Sequence, residues 1–130
     1  MTARNEPALL LLHKPAGMTS FDCIRKLKHT WKRKDLGHGG TLDKFATGLL
    51  PVLIGEGLKL VRFFLENHPE LSTYWKTYSG TITLGRATET GDPEGETSKT
   101  MPVPTLSREK IEAAMKSFVG IEYMQTPLWL

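Results

Sequence analysis

Short apolar runs and changes of period organise the chain. Leu9 to Leu12 is an unbroken apolar run stopped by Lys14-Pro15, and its brevity predicts a buried strand. A helix follows. Ser20 is placed to cap it, Asp22 falls in its first turn, and Phe21, Ile24, Leu27 and Trp31 recur at helical spacing. Leu49 to Ile54 predicts a second buried strand, and Leu58, Val61 and Leu65, after Gly57, a second helix. From Tyr74 the period changes to two. Tyr74, Lys76, Tyr78, Gly80, Ile82 and Leu84 share one face, and Trp75, Thr77, Ser79, Thr81 and Thr83 the other, an aromatic and β-branched pattern that predicts a strand. In "RATETGDPEGETSKT" Gly91, Pro93 and Gly95 interrupt regular structure, so this polar segment reads as a long exposed loop, and such loops are often functional. Ser107 begins a last helix, with Ile111, Ala114, Met115 and Phe118 as its core stripe and Gly120 at its end. Strands mixed with helices imply an α+β or α/β class.

Composition narrows this picture. The 130 residues, 39% of them hydrophobic, can bury one core, and no run approaches the roughly 20 apolar residues of a membrane span. A single domain, or part of one, is expected. The N-terminal apolar run is too short for a secretory leader and no small-residue cleavage site follows it, which predicts a cytoplasmic protein. The single cysteine, Cys23, excludes an intramolecular disulfide and builds no thiolate metal site alone. The net charge of +3 is uneven: Arg25, Lys26, Lys28, Lys32, Arg33 and Lys34 cluster, whereas Glu89, Asp92, Glu94 and Glu96 crowd the polar loop. Such a basic cluster is either a solvated helix face or the footprint of a polyanion.

"GHGGTLDKFATGLLP", residues 37 to 51, concentrates the candidate chemistry. Gly37, Gly39, Gly40 and Gly48 admit a ligand close to the backbone. The stretch is no Walker loop, and a lone Asp43 makes a poor metal site. Two readings of Asp43 stay open. An ionised carboxylate is a nucleophile toward electrophilic carbon, and an aspartate here also suits an Asx-turn capping "KFATG".

The same stretch resembles the central G-H-T-G-T-L-D-P-x-A-T-G-x-L-P motif of the TruB-type tRNA pseudouridine synthases. Three more segments agree in order. "LLLHKPAGMTSFD" resembles the K-P-x-G-x-T-S motif, "KTYSGTITLGRATETGDPEG" the K-x-Y strand with its T-D-T-x-D-x-x-G loop, and "FVGIEYMQTP" the start of G-x-x-x-Q-x-P-P-x-Y-S-A. The resemblance implies an α+β chain forming part of a pseudouridine synthase fold, a mixed, mostly antiparallel sheet with flanking helices. It implies isomerisation of uridine 55 in the T loop of tRNA, with no metal or organic cofactor and no obligate protein partner. Asp43 falls on the catalytic aspartate and Tyr78 on the tyrosine that stacks on the flipped base and is placed to remove the C5 proton. His38 falls on a histidine that holds flipped T-loop nucleotides. Gly40, Thr41, Lys76 and Asp92 fall in substrate-contacting motifs, Asp92 also serving as a loop anchor, while Lys14 and Pro15 match a motif behind the active site. Lys32 and Arg33 are expected to grip T-arm phosphates.

Departures are local, except at the end. Gly39 replaces Thr, and Lys44-Phe45 replaces the Pro-x pair, which removes a fixed φ and predicts a looser turn. After Gln125-Thr126-Pro127 the match to the last motif stops. Residues 1–130 are therefore expected to be the N-terminal portion of the catalytic domain, without the arginine that pairs with the aspartate and without a C-terminal RNA-binding domain. Two readings remain: part of a synthase that is inactive alone, or a non-catalytic basic RNA-binding module.

Overall fold

A computed structural model describes residues 6–65, 76–122 and 124, in two compact units, 1–78 and 79–130. Class and sheet type agree with expectation: among the described residues three α-helices accompany two antiparallel sheets, an α+β arrangement consistent with part of a pseudouridine synthase fold. Among the described residues no helix is long and apolar enough to cross a membrane.

The first unit is built on a three-stranded sheet in the order β1-β3-β2, with β1 at Ala8–Lys14, β2 at Leu36–His38 and β3 at Gly48–Ile54. Register pairs Leu10 with Val52 and Leu12 with Leu50, so one face collects aliphatic side chains. Helix α1, Ser20–Trp31, covers that face with Cys23, Ile24 and Leu27, completing a core with Leu36, Leu50, Val52 and Ile54. Burying each such aliphatic side chain stabilises the unit by about 1.5–3 kcal/mol. A 3-10 turn, Gly55–Leu60, leads into the short α2, Val61–Leu65.

Three expectations need correction here. The runs expected to be buried strands are buried only in part: Leu9, Leu11 and Leu49 are exposed, because α1 covers a single side of the sheet, and on the side away from α1 Leu53 is buried, its Cδ1 lying with Phe64 beside Gly39. Phe21 and Trp31 are exposed too, since Cys23, Ile24 and Leu27 define the face that meets the sheet. The cap of α1 is Thr19 rather than Ser20. Thr19 Oγ1 accepts from Asp22 N at 3.0 Å and the Asp22 carboxylate accepts from Thr19 N at 3.2 Å, a reciprocal capping box that satisfies two otherwise orphaned donors.

In the second unit, β4, Arg86–Thr88, pairs with β5, Thr97–Thr100, so the polar segment is a hairpin around a shorter loop, not a loop throughout. The strand expected over 74–84 is absent from residues 76–84. A strand exists only through a ladder partner, and among the described residues no segment pairs with this one. Tyr74 and Trp75 lie outside the described residues. Helix α3, Arg108–Lys116, is capped by Ser107, yet Ile111, Met115 and Phe118 are exposed instead of forming a core stripe. Amphipathic spacing alone does not bury that face among the described residues.

Candidate functional site

Asp43 sits on a loop held from both sides by residues that precede it by more than 20 positions. Before it, the Ser20 hydroxyl accepts from Leu42 N at 2.9 Å and donates to Leu42 O at 3.3 Å. After it, the Lys44 carbonyl accepts from Gly17 N at 2.8 Å and from Lys14 Nζ at 3.4 Å. Lys14 is 0% exposed, and its ammonium also donates to the carbonyls of Pro15 at 2.9 Å and Met18 at 2.7 Å. A buried ammonium without a carboxylate is tolerable only when carbonyl dipoles surround it, as here. Gly17 reaches Lys44 from a left-handed backbone, φ 81°.

The same geometry bears on the capping reading of Asp43. The turn is closed by its main chain, Ala46 N donating to Asp43 O at 3.1 Å. The exposed carboxylate itself engages no hydrogen bond or ion pair among the described residues, so it caps nothing. The turn is also held despite the missing proline: contacts to the Lys44 carbonyl supply the restraint that a fixed φ would have given.

The rest of the glycine-rich stretch is close-packed on one side and open on the other. His38 is in β2 opposite Val52, and its Nδ1 is buried without a hydrogen-bond partner among the described residues. Gly39 donates to Pro51 O at 2.8 Å, and a Cβ there would stand 2.8 Å from the Phe64 Cβ. Phe64 therefore accounts physically for glycine at 39. A Cβ at Gly40 would meet nothing within 4 Å, and Thr41 is exposed, so this side admits a ligand.

Around α1 the basic residues divide. Arg25, Lys26 and His29 line a shallow groove with Met18 and Asp22. Lys32 ends the helix in a left-handed conformation, φ 52°, with Lys32 N donating to His29 O and Arg33 N to Lys28 O, and it is exposed. Arg33 lies side-on to Asp35, Nε to Oδ1 at 3.0 Å and Nη2 to Oδ2 at 2.6 Å. That fork holds the Asp35 carboxyl below its ordinary range and raises the guanidinium.

Lys76 and Tyr78 are exposed and outside any strand, so no sheet face aligns them. Asp92 belongs to the second unit and organises its own loop. Its Oδ1 accepts from Thr90 Oγ1 at 2.6 Å, Glu94 N at 2.9 Å and Gly95 N at 3.1 Å, and its main-chain carbonyl accepts from Thr88 Oγ1 at 2.7 Å. The Thr90 hydroxyl, with the two amides, lowers the Asp92 pKa.

Comparison with known proteins supplies the frame for this loop. Residues 28–129 match the N-terminal domain of TruB family pseudouridylate synthases. The chain belongs to the TruB family. It is 38% identical over 121 residues to "tRNA pseudouridine synthase B" of Opitutus terrae, covering 93% of this chain and 47% of that protein. It is 39% identical over 122 residues to the protein of the same name from Bacillus subtilis, covering 93% and 37%. The chain thus spans less than half the length of these relatives. The TruB match includes the Asp43 loop, the hairpin and α3, whereas the residues that pin the loop, Lys14, Gly17 and Ser20, precede its first matched residue. Ser20 escaped the sequence reading because a hydroxyl bonded to a distant main chain has no spacing signature. The available signal was the cap: Thr19-x-x-Asp22 has capping-box spacing, which leaves Ser20 without a capping task.

Proposed function

We propose that the chain is the N-terminal part of a tRNA pseudouridine synthase that isomerises uridine 55 in the T loop, with Asp43 as its nucleophile. The observation that carries this reading is an exposed carboxylate, engaged by nothing among the described residues, on a loop whose neighbouring peptides are fixed by other groups. Family membership supplies the reaction class.

In the reaction the bond from C1′ to N1 breaks, the uracil turns, and a bond from C1′ to C5 forms. The proton leaves C5 and N1 gains one, so no redox partner is needed. The ionised Asp43 attacks the uracil ring or the sugar C1′ to release the base, and is itself released when the new bond forms. Tyr78 stacks on the extruded base and takes the C5 proton, while His38, Gly40, Thr41, Lys76 and Asp92 contact or support the T loop. Extruding a base costs a few kcal/mol, and stacking on an aromatic ring returns about 1–3 kcal/mol. Lys32 and Arg33 add phosphate contacts, and a tRNA-modifying role fits the cytoplasm.

Exposed Arg25, Lys26, Lys32 and Lys34 favour a second reading for these 130 residues alone, RNA binding without turnover. The two readings separate in one experiment. tRNA carrying tritium at uridine C5 is incubated with the full-length protein and with residues 1–130. Tritium release by the full-length protein, lost when only uridine 55 is replaced, supports the synthase reading. Binding without release by either protein supports the module, and release from another uridine overturns the position.

A further inference from the structure

Ser20 has a task that its place in α1 does not require. It stands at the first helical position, where a side chain usually contributes little, because Thr19 already caps the helix through its box with Asp22. Yet Ser20 is 2% exposed, and both of its hydrogen-bonding capacities go to one residue 22 positions away. The two bonds hold different peptide units. Leu42 N belongs to the peptide joining Thr41 to Leu42, and Leu42 O to the peptide joining Leu42 to Asp43. The second of these carries the Asp43 Cα, so a hydroxyl on a core-packed helix fixes the backbone from which the carboxylate projects.

We infer that Ser20 is a positioning residue for Asp43, fixing the Leu42–Asp43 peptide so that the carboxylate meets its substrate in one orientation. The inference rests on the reading of Asp43 as nucleophile. Its physical basis is the clasp's connection to the core: Cys23 and Ile24, one turn further along α1 from Ser20, are buried, so the loop takes the rigidity of a packed helix rather than that of a glycine-rich turn. Lys14 and Gly17 restrain the other side through Lys44 and leave the peptide before Asp43 to Ser20 alone among the described residues. Ser20 touches no reacting atom and acts through Leu42.

Ser20→Ala keeps the Cβ and the Thr19 cap, so the fold is retained while the clasp is lost. In the full-length protein, amide hydrogen exchange is read at Leu42 and across β3, together with kcat and KM for tritium release from tRNA. Expected is faster exchange at Leu42 with β3 unchanged. Expected too is a kcat lowered about tenfold to a hundredfold at unchanged KM, the scale on which a misplacement of about 1 Å acts. Ser20→Cys, with a similar shape but a weak donor and acceptor, falls between. Wild-type kcat in Ser20→Ala overturns the inference, and so does protection lost equally at Leu42 and in β3, which marks a stability role. A wild-type protein that releases no tritium overturns the functional reading and the catalytic part of the inference together. Exchange at Leu42 then still decides whether the hydroxyl holds the loop.

Discussion

Asp43 and Asp92 are aspartates in glycine-containing loops, and their loops are built in opposite ways. The Asp92 loop is held by its aspartate, whose Oδ1 gathers Thr90, Glu94 and Gly95. The Asp43 loop is held without its aspartate, by Ser20 at Leu42 and by Lys14 and Gly17 at Lys44. An acid that organises its own backbone has part of its accepting capacity engaged and is a poor nucleophile, whereas an acid on a loop fixed by others is available without disorder. Composition does not separate the two cases; long-range partners do.

The largest effect expected from this contrast is at Lys14. Lys14→Met keeps most of the volume but leaves the Pro15 and Met18 carbonyls without the ammonium. With a net hydrogen bond to a charged group worth about 1.5–3 kcal/mol and both carbonyls only part-buried, the unfolding free energy should fall by about 2–4 kcal/mol in a denaturant titration. Unchanged stability would mean that a buried cation is dispensable there and that the loop is held otherwise.

Charge separates the two regions as well. Lys32→Gly relieves the left-handed strain of a non-glycine residue, worth about 1 kcal/mol, and should stabilise the first unit. It also removes one cation, so the slope of log affinity for a T-arm hairpin against log salt should flatten by about one unit. Neutralising Glu89 and Glu96 beside Asp92 should not flatten it. Loss of stability in Lys32→Gly, or an unchanged slope, would break this part of the account.

A smaller, local effect belongs to the Asp92 loop. Asp92→Ala should raise amide exchange at Glu94 and Gly95, and Asp92→Asn less so because its amide oxygen still accepts. Asp43→Ala should leave exchange at Ala46 unaltered, since the main chain closes that turn. Equal loosening of both loops would erase the contrast.

The smallest effect is on titration. Chiefly through the Thr90 hydroxyl, Asp92 has a pKa below its ordinary 3.8. Its folded value is thus below its unfolded one, so its contribution is present above 3.8 and is lost as pH falls through the folded value. The Gly95 amide shift should report a midpoint below 3.8, moving upward in Thr90→Val. A midpoint unmoved by Thr90→Val would contradict the assignment.

Much of the first unit was legible in the chain, and the reasons for the misses are specific. β1, α1 and β3 lie where apolar runs and helical spacing put them. Which face they bury was not legible in β1, because Leu9 to Leu12 is apolar on both faces and only the course of α1 selects one. The alternation from 76 to 84 expresses a preference for pleated surface, which becomes a strand only when a partner pairs with it. The Asp43 loop was legible as a close-approach segment from its glycines. Lys14 was expected behind the site, but its partners and the Ser20 clasp were not legible, since both side chains bind main-chain atoms and a main-chain atom carries no residue identity to read.

If the fixed Asp43 loop leaves its carboxylate for chemistry, as proposed, Asp43→Asn in the full-length protein shows it most directly. An amide keeps the shape and still accepts hydrogen bonds but supplies no ionised oxygen to carbon. Release of tritium from C5-labelled T-arm RNA is followed beside a hairpin-binding titration. Expected are unchanged binding, an unchanged unfolding midpoint, and release reduced by several orders of magnitude. Release at the wild-type rate would contradict the proposed role and leave Asp43 a structural residue.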